Sequence, residues 1–431
     1  MIISSKDQRS AGYDLATLFK LKLMNEYDAF KKLGSLASLE REIRTPGGIK
    51  VYLSKESMDC FVRLKKITAK YLSNRKILDD GDICQSCRYA LGYLYENEPN
   101  NLELAQFIQL AEDASQKPIS THKFITSMAG LNFDNITELN LGSLTLLLPQ
   151  KEILDSAIAR EGQIENAWAD MKSYLWITSE INGSIDFAER RFFKIVKTSL
   201  GLLALAFSLL LERGGAVVSL IPSIEGRMRP RTVTWLSIDK NSNNLRTKTD
   251  MQGIQALTLT KEVKTLLEET PWLPALITIA QTDVPQNDLA SAVQRALYWF
   301  FDAQTDPILE MRFVKFWSCI ECIFALSDKK DTVLRIKKGL RSLLHKRYRD
   351  TDPSPHFDFE KQITDMYDLR CVAVHQAHHD HVCIKHITAV SKWAADALIE
   401  TSILIGEGVN SRKKLKEQID MIYSTIPIQT A

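Results

Sequence analysis

With 431 residues the chain has room for two or three domains. It is 45% hydrophobic and 25% charged with a formal net charge of +2; this excludes a disordered chain, and the near-neutral balance says little about partners, so local clusters must be read instead. The seven cysteines have no framework-like spacing and Met1–Gln8 lacks an apolar secretory core, so the expectation is a cytoplasmic protein with reduced thiols rather than a disulfide scaffold.

In chain order, the apolar spacing predicts helices over Glu56–Leu72 and Leu102–Ala114. The stretch Ile136–Leu148 alternates and then runs apolar, as one buried strand would, with Pro149 as its stop. Long helices are expected over Glu152–Thr178 and Asp186–Arg213, the second closed by Gly214-Gly215. Within it Thr198–Leu211 is uncharged but shorter than the roughly 18–20 residues a bilayer span needs, so a buried core helix is expected and no membrane partner. Short strands follow at Ala216–Pro222 and Arg231–Ile238, with a polar loop at Asp239–Asn244.

A boundary is expected at Asp283–Asp288, with Asp288 capping the next helix. The expected organisation is therefore an α+β part over 1–284 and an all-α part over 285–431, predominantly helical overall. In the second part the pattern predicts helices over Leu289–Ala303, Pro307–Ala325, Thr332–Tyr348, Phe359–His375 and Val382–Ile405, joined by polar links as in an antiparallel bundle.

The fourth of these helices carries the chemistry. It holds Arg370 and, five positions later, His375. Arginine stays cationic and grips phosphate oxygens through a bidentate fork, and histidine gives or takes a proton near neutral pH. Phosphodiester cleavage by a 2′-hydroxyl needs a base, an acid and a cation for the developing charge, and none of these has to be a metal. Five residues of helix turn by about 140°, so one helix alone does not aim both side chains at one point. Glu321 sits among apolar residues and calls for a partner, for which Arg370 is suited. Asp368 is a second carboxylate able to orient either group.

Other features are less specific. Arg335, Lys338 and Arg341 fall on about one face of the third helix, where they could track an RNA backbone or form a solvated face. Gly226–Arg231 is a second basic run. Five of the eight histidines lie between 375 and 386, so His378 could present a further imidazole to RNA; the spacing matches no established zinc pattern, and no metal or other cofactor is expected. Cys84-Gln85-Ser86-Cys87, after an acidic loop at 79–82, and Cys319-Ile320-Glu321-Cys322 are too far apart for a zinc ribbon and read as structural thiols. A phosphate-cradling Gly-rich loop, a nucleophile elbow and an H-E-x-x-H helix are all missing from the sequence.

The R-x4-H spacing, behind the apolar helix that bears Trp317 and Glu321 and the basic helix after it, resembles the HEPN superfamily and within it the Apea-like branch. The resemblance covers roughly residues 288–405. It implies a HEPN-like helical bundle, and a metal-independent endoribonuclease that leaves a 2′,3′-cyclic phosphate, with tRNA among the candidate substrates. It also implies a homodimer or higher homo-oligomer whose motifs line one cleft, in bacterial anti-phage defence, abortive infection or toxin-type growth control. The 1–284 part would then sense a phage-derived trigger or regulatory partner, or bind RNA. In the family a small polar residue often follows the arginine; here it is Cys371, a poorer hydrogen-bond donor. A HEPN-like module that binds RNA or dimerises without cleaving is the competing expectation.

Overall fold

The computed structural model describes residues 3–20, 24–33, 41–97, 103–156, 160–210, 220–224, 231–238, 245–252, 256–325, 331–348, 359–375 and 382–426. The chain is predominantly helical, with a small sheet region. It forms two compact units, one of Met1–Phe124 with Glu180–Phe192, the other of Ile125–Ser179 with Phe193–Ala431.

The first unit contains helices α1 (Ser5–Lys20) and α2 (Glu26–Leu33), then a hairpin of β1 (Glu42–Arg44) and β2 (Lys50–Tyr52). Helices α3 (Lys55–Thr68), α4 (Asp80–Asn97) and α5 (Leu104–Gln116) follow. Ser54 starts α3 by accepting the Ser57 N–H, which satisfies one of the donors a helix start leaves open. Leu15, Phe61, Leu64, Leu91 and Phe107 are buried together. Asp14 is buried on α1, and the Arg63 guanidinium, 2.6 Å away, neutralises it. Asp80 and Asp82 belong to the first turn of α4 and not to a loop ahead of it; there they complement the helix dipole. Cys84 and Cys87 therefore lie on a helix, and burial pushes the Cys87 thiol up to about 12, which keeps it un-ionised and inert.

Sheet structure centres on five strands in the order β5-β6-β7-β3-β8, comprising β3 (Ser120–Ala129), β5 (Glu138–Leu141), β6 (Leu144–Leu147), β7 (Leu175–Gly183) and β8 (Ile221–Pro222). Short β4 (Leu131–Phe133) pairs in parallel with β11 (Leu257–Leu259), and β9 (Arg231–Ile238) forms a hairpin with β10 (Leu245–Gln252). Two expectations are corrected here. The single strand over Ile136–Leu148 is the β5–β6 hairpin, because Gly142 takes φ 65° and reverses the chain. The helix over Glu152–Thr178 is instead α6 (Lys151–Asp155), α7 (Gln163–Met171) and β7, with Gly162 at φ 73° before α7. Strand β7 buries Leu175, Trp176 and Ile177 in succession and then alternates buried Ser179 and Ile181 with exposed Glu180 and Asn182, so cross-strand pairing overrides its helical spacing. Helix α8 (Ile185–Leu210) matches expectation, and its apolar run is core: residues 198–207 are all buried. No helix among the described residues is long and apolar enough to cross a membrane. Gly214-Gly215, residues 216–219, the 226–230 part of the second basic run and the 239–244 loop lie outside the described residues.

The second unit continues with α9 (Lys261–Glu268), α10 (Leu273–Gln281), α11 (Asp288–Thr305), α12 (Leu309–Phe324), α13 (Thr332–Tyr348), α14 (Phe359–His375), α15 (Ile384–Gly406) and α16 (Arg412–Thr425). The N-cap of α11 is Asn287, not Asp288; its side chain accepts the Ala290 N–H at 2.8 Å. Gly201 lets α8 lie against α11, since a Cβ there would stand 2.7 Å from the Leu297 carbonyl. Buried Gln294 on α11 donates to the Thr282 carbonyl at 2.8 Å and so closes the end of α10. Helices α11, α12 and α15 bury Leu297, Phe300, Phe316, Trp317, Ile320 and Leu398, the core on which the remaining helices are positioned.

Candidate functional site

Helix α12 presents Trp317 and Glu321, four residues apart and therefore on one face. Helix α14 presents Tyr367, Arg370 and Cys371 to it. The Trp317 and Tyr367 rings stand 6.1 Å apart, and Arg370 Nη2 donates to Glu321 Oε2 at 3.0 Å. Glu321 thus has the partner its burial calls for. Burial raises its pKa, while Arg370 and the Trp317 indole act in the opposite direction to retain the charge. Arg370 and Glu321 keep only 19% and 21% of their side chains exposed, so this ion pair is screened less than a surface one.

Arg370 Nε is buried with no hydrogen-bond partner among the described residues, as are Arg341 Nε and Arg412 Nε. An unused buried donor costs about 1–3 kcal/mol. Tyr367 packs beside Arg370; burial raises the phenol's pKa, and neighbouring Cys371 and Glu321 add to the rise against Arg370. The phenol therefore stays protonated and able to donate.

His375 is the last residue of α14 and is exposed, as is Asp368. The structure brings Arg370, Glu321 and Cys371 together around Tyr367 and leaves His375 exposed at the end of the helix, outside that cluster. Of the other clustered histidines, His386 accepts the Cys383 N–H at 3.2 Å and caps α15. His378, with His379 and His381, lies outside the described residues. All seven cysteines are free, and Cys319 is buried, with its thiol pushed well above the usual range by that burial.

The basic face of α13 is largely engaged within the bundle. Lys338 Nζ meets Asp420 Oδ1 at 3.2 Å, Arg341 binds Glu360, and both cations lie over the Tyr423 ring at 5.4 Å. Burial works against the Glu360 charge, but Arg341 and the Tyr423 hydroxyl donate to it and its pKa ends below the usual value. Arg335 is half-buried on the same helix. Lys337, in contrast, borders a cleft of about 470 Å³ together with Thr332, Val333 and Tyr367. Tyr367 and Lys337 were not singled out as site residues from the sequence. The available signal was local: Tyr367 precedes Arg370 by three positions and Cys371 by four, which stacks all three on one helical surface.

No family model matches the chain, and no curated protein or solved structure matches it either.

Proposed function

We propose that the protein is a metal-independent endoribonuclease whose reacting groups are Arg370 and His375. The observation that carries this reading is the setting of Arg370: a cation anchored by Glu321 at 3.0 Å with a donor still unused, five residues before an exposed histidine at the helix end. His375 takes the proton from a ribose 2′-hydroxyl or returns one to the leaving 5′-oxygen. Arg370 balances the charge that builds on the phosphate oxygens. Glu321 and Trp317 position Arg370, and Tyr367 offers a further hydroxyl beside it. The products are a 2′,3′-cyclic phosphate and a 5′-hydroxyl. The two key side chains diverge around their helix, and the resemblance to Apea-like HEPN proteins implies that a second copy of the chain supplies the facing motif in a homodimer or higher homo-oligomer. The resemblance to Apea-like HEPN proteins extends this to RNA, tRNA included, as substrate, and to bacterial defence against phage or toxin-type growth control as setting, with the remainder of the chain answering a trigger or partner.

The test is incubation of the purified full chain with total RNA and with tRNA in EDTA, beside His375→Ala. Cleavage by the wild type alone, with cyclic phosphate ends, is the expected result. Cleavage that needs a divalent ion, or that persists in His375→Ala, overturns the assignment. A second reading has its own support: Glu321 already occupies part of the Arg370 guanidinium, and Cys371 stands where a small polar residue is common. RNA binding without cleavage, in the presence of infected-cell lysate as a source of the trigger, would select this non-catalytic role in RNA binding or dimerisation.

A further inference from the structure

A cleft opens beside the Arg370 cluster, where the start of α13 meets α14. It measures about 470 Å³ and is lined by Asp331, Thr332, Val333, Leu334, Lys337 and Tyr367, a size that takes a small ligand such as a nucleoside. Leu334 is 51% exposed although it is apolar. Tyr367 is half-buried, with its ring 6.1 Å from that of Trp317. It also lies within electrostatic reach of Arg370, so one side chain joins this cleft to the arginine of the proposed reaction.

The cleft holds two charged groups, and their surroundings differ. Lys337 lies within electrostatic reach of Glu360, whose charge it favours. Asp331 is exposed, and its carboxylate forms no hydrogen bond or ion pair among the described residues. With Leu334 it also borders an adjoining cavity of about 210 Å³, whose lining includes Arg335 and Lys338, and it bonds to neither. Asp331 takes φ 60°, a left-handed conformation that Asp and Asn tolerate and most side chains avoid. An ionised carboxylate is an acceptor only, so the unpaired polar group in this cleft calls for donors.

We propose that this cleft is a base subsite of the ribonuclease and that it selects guanine in an unpaired stretch of RNA. Its place in that reaction rests on the ribonuclease reading, whereas the base preference rests on the cleft itself. A base presented singly stacks on an aromatic side chain, and its flat apolar face suits Tyr367 and Leu334. Asp331 then reads the edge. Guanine places two N–H donors side by side on its Watson–Crick edge, and one carboxylate accepts both. Adenine and cytosine offer one donor next to an acceptor, and uracil one donor between two carbonyls, so each sets a lone pair against the carboxylate. A polar group built to meet a donor pair rejects ligands that lack it, because it is then left unpaired. Duplex RNA hides the same edge in base pairs, which restricts the substrate to unpaired segments.

The test is calorimetric titration of the full chain with GMP, AMP, CMP and UMP, beside mapping of cleavage positions in an unstructured RNA that contains all four bases. The phosphate is common to the four nucleotides, so their differences report the base. GMP is expected to bind at least about tenfold tighter than each of the others, and cleavage to fall beside guanines. Asp331→Asn keeps the shape and suits the left-handed backbone, and it should lower the GMP-to-AMP affinity ratio by about tenfold. Loss of a negative charge strengthens all four nucleotides alike, so the ratio separates base reading from charge. Tyr367→Leu should weaken all four by about tenfold, and Tyr367→Phe, which keeps the ring, should not. Asp365→Asn, exposed on α14 and outside the cleft, should leave the ratio unchanged. Equal affinity for the four nucleotides, no saturable binding at millimolar concentration, or an unchanged ratio in Asp331→Asn overturns the proposal; RNA cleavage without guanine preference overturns it while the ribonuclease reading stands. Guanine selectivity that is lost in Asp331→Asn, with no RNA cleavage, upholds the guanine site and tells against the ribonuclease reading alone.

Discussion

Helices α13 and α14 are neighbours of similar length, and both offer cations, yet they use them differently. On α13, Lys338 and Arg341 are tied to Asp420 and Glu360 and covered by Tyr423. On α14, Arg370 is tied to one carboxylate and is followed by an exposed histidine, while a buried Nε without a partner among the described residues is common to Arg341 and Arg370. The cations of α13 are thus paired and stacked within the bundle, whereas the arginine of α14 is paired within an apolar setting and precedes an exposed histidine. The distinction lies in the pairing of each charge, which residue counts do not reveal.

The largest effect that could break this contrast is on RNA cleavage. Arg370→Ala should lower it by about 10²–10³-fold in EDTA, as removal of a transition-state charge contact does. Arg341→Ala, the matching deletion on α13, should leave the rate unchanged; a reversed outcome in a gel-based cleavage assay would make α13 the reactive helix. Next in size is Trp317→Ala. Trp317 is fully buried, so its deletion should cost about 3–5 kcal/mol in urea unfolding. An intact Tm in that variant would mean that the wall behind Glu321 carries little of the packing assumed for it. Arg341→Ala should cost about 1 kcal/mol by the same measurement, since its partner Glu360 remains partly exposed.

The smallest effects are pH-dependent, and the two carboxylates should differ in sign. Glu360 has a folded-state pKa below its ordinary value, so its stabilisation is present above the usual carboxylate range and is lost as pH falls beneath it. Glu321 has a raised pKa, so the fold loses stability as pH rises from the usual carboxylate range through that raised value. Thermal unfolding from pH 3 to pH 7 should show a shallower acid limb for Glu360→Gln than for the wild type, and a steeper one for Glu321→Gln. Identical limbs would remove the electrostatic difference between the two helices.

Several features were legible in the sequence because they depend on local pattern. The helices at Thr332–Tyr348 and Phe359–His375 have the bounds that their apolar spacing suggests, and the burial of the 198–207 run follows from its composition. The Glu321–Arg370 pairing was also foreseeable, since a carboxylate among apolar residues must find a cation. Tertiary structure decided the rest. It made a hairpin of Ile136–Leu148 by turning Gly142 into the left-handed region, and a strand of Leu175–Gly183 by giving it partners on both sides. It assigned Lys338 and Arg341 to intramolecular acids. Periodicity fixes which face of a helix is apolar; only the packed chain fixes which charges meet, because ion pairing and strand pairing are set by distance in space and not by spacing along the sequence.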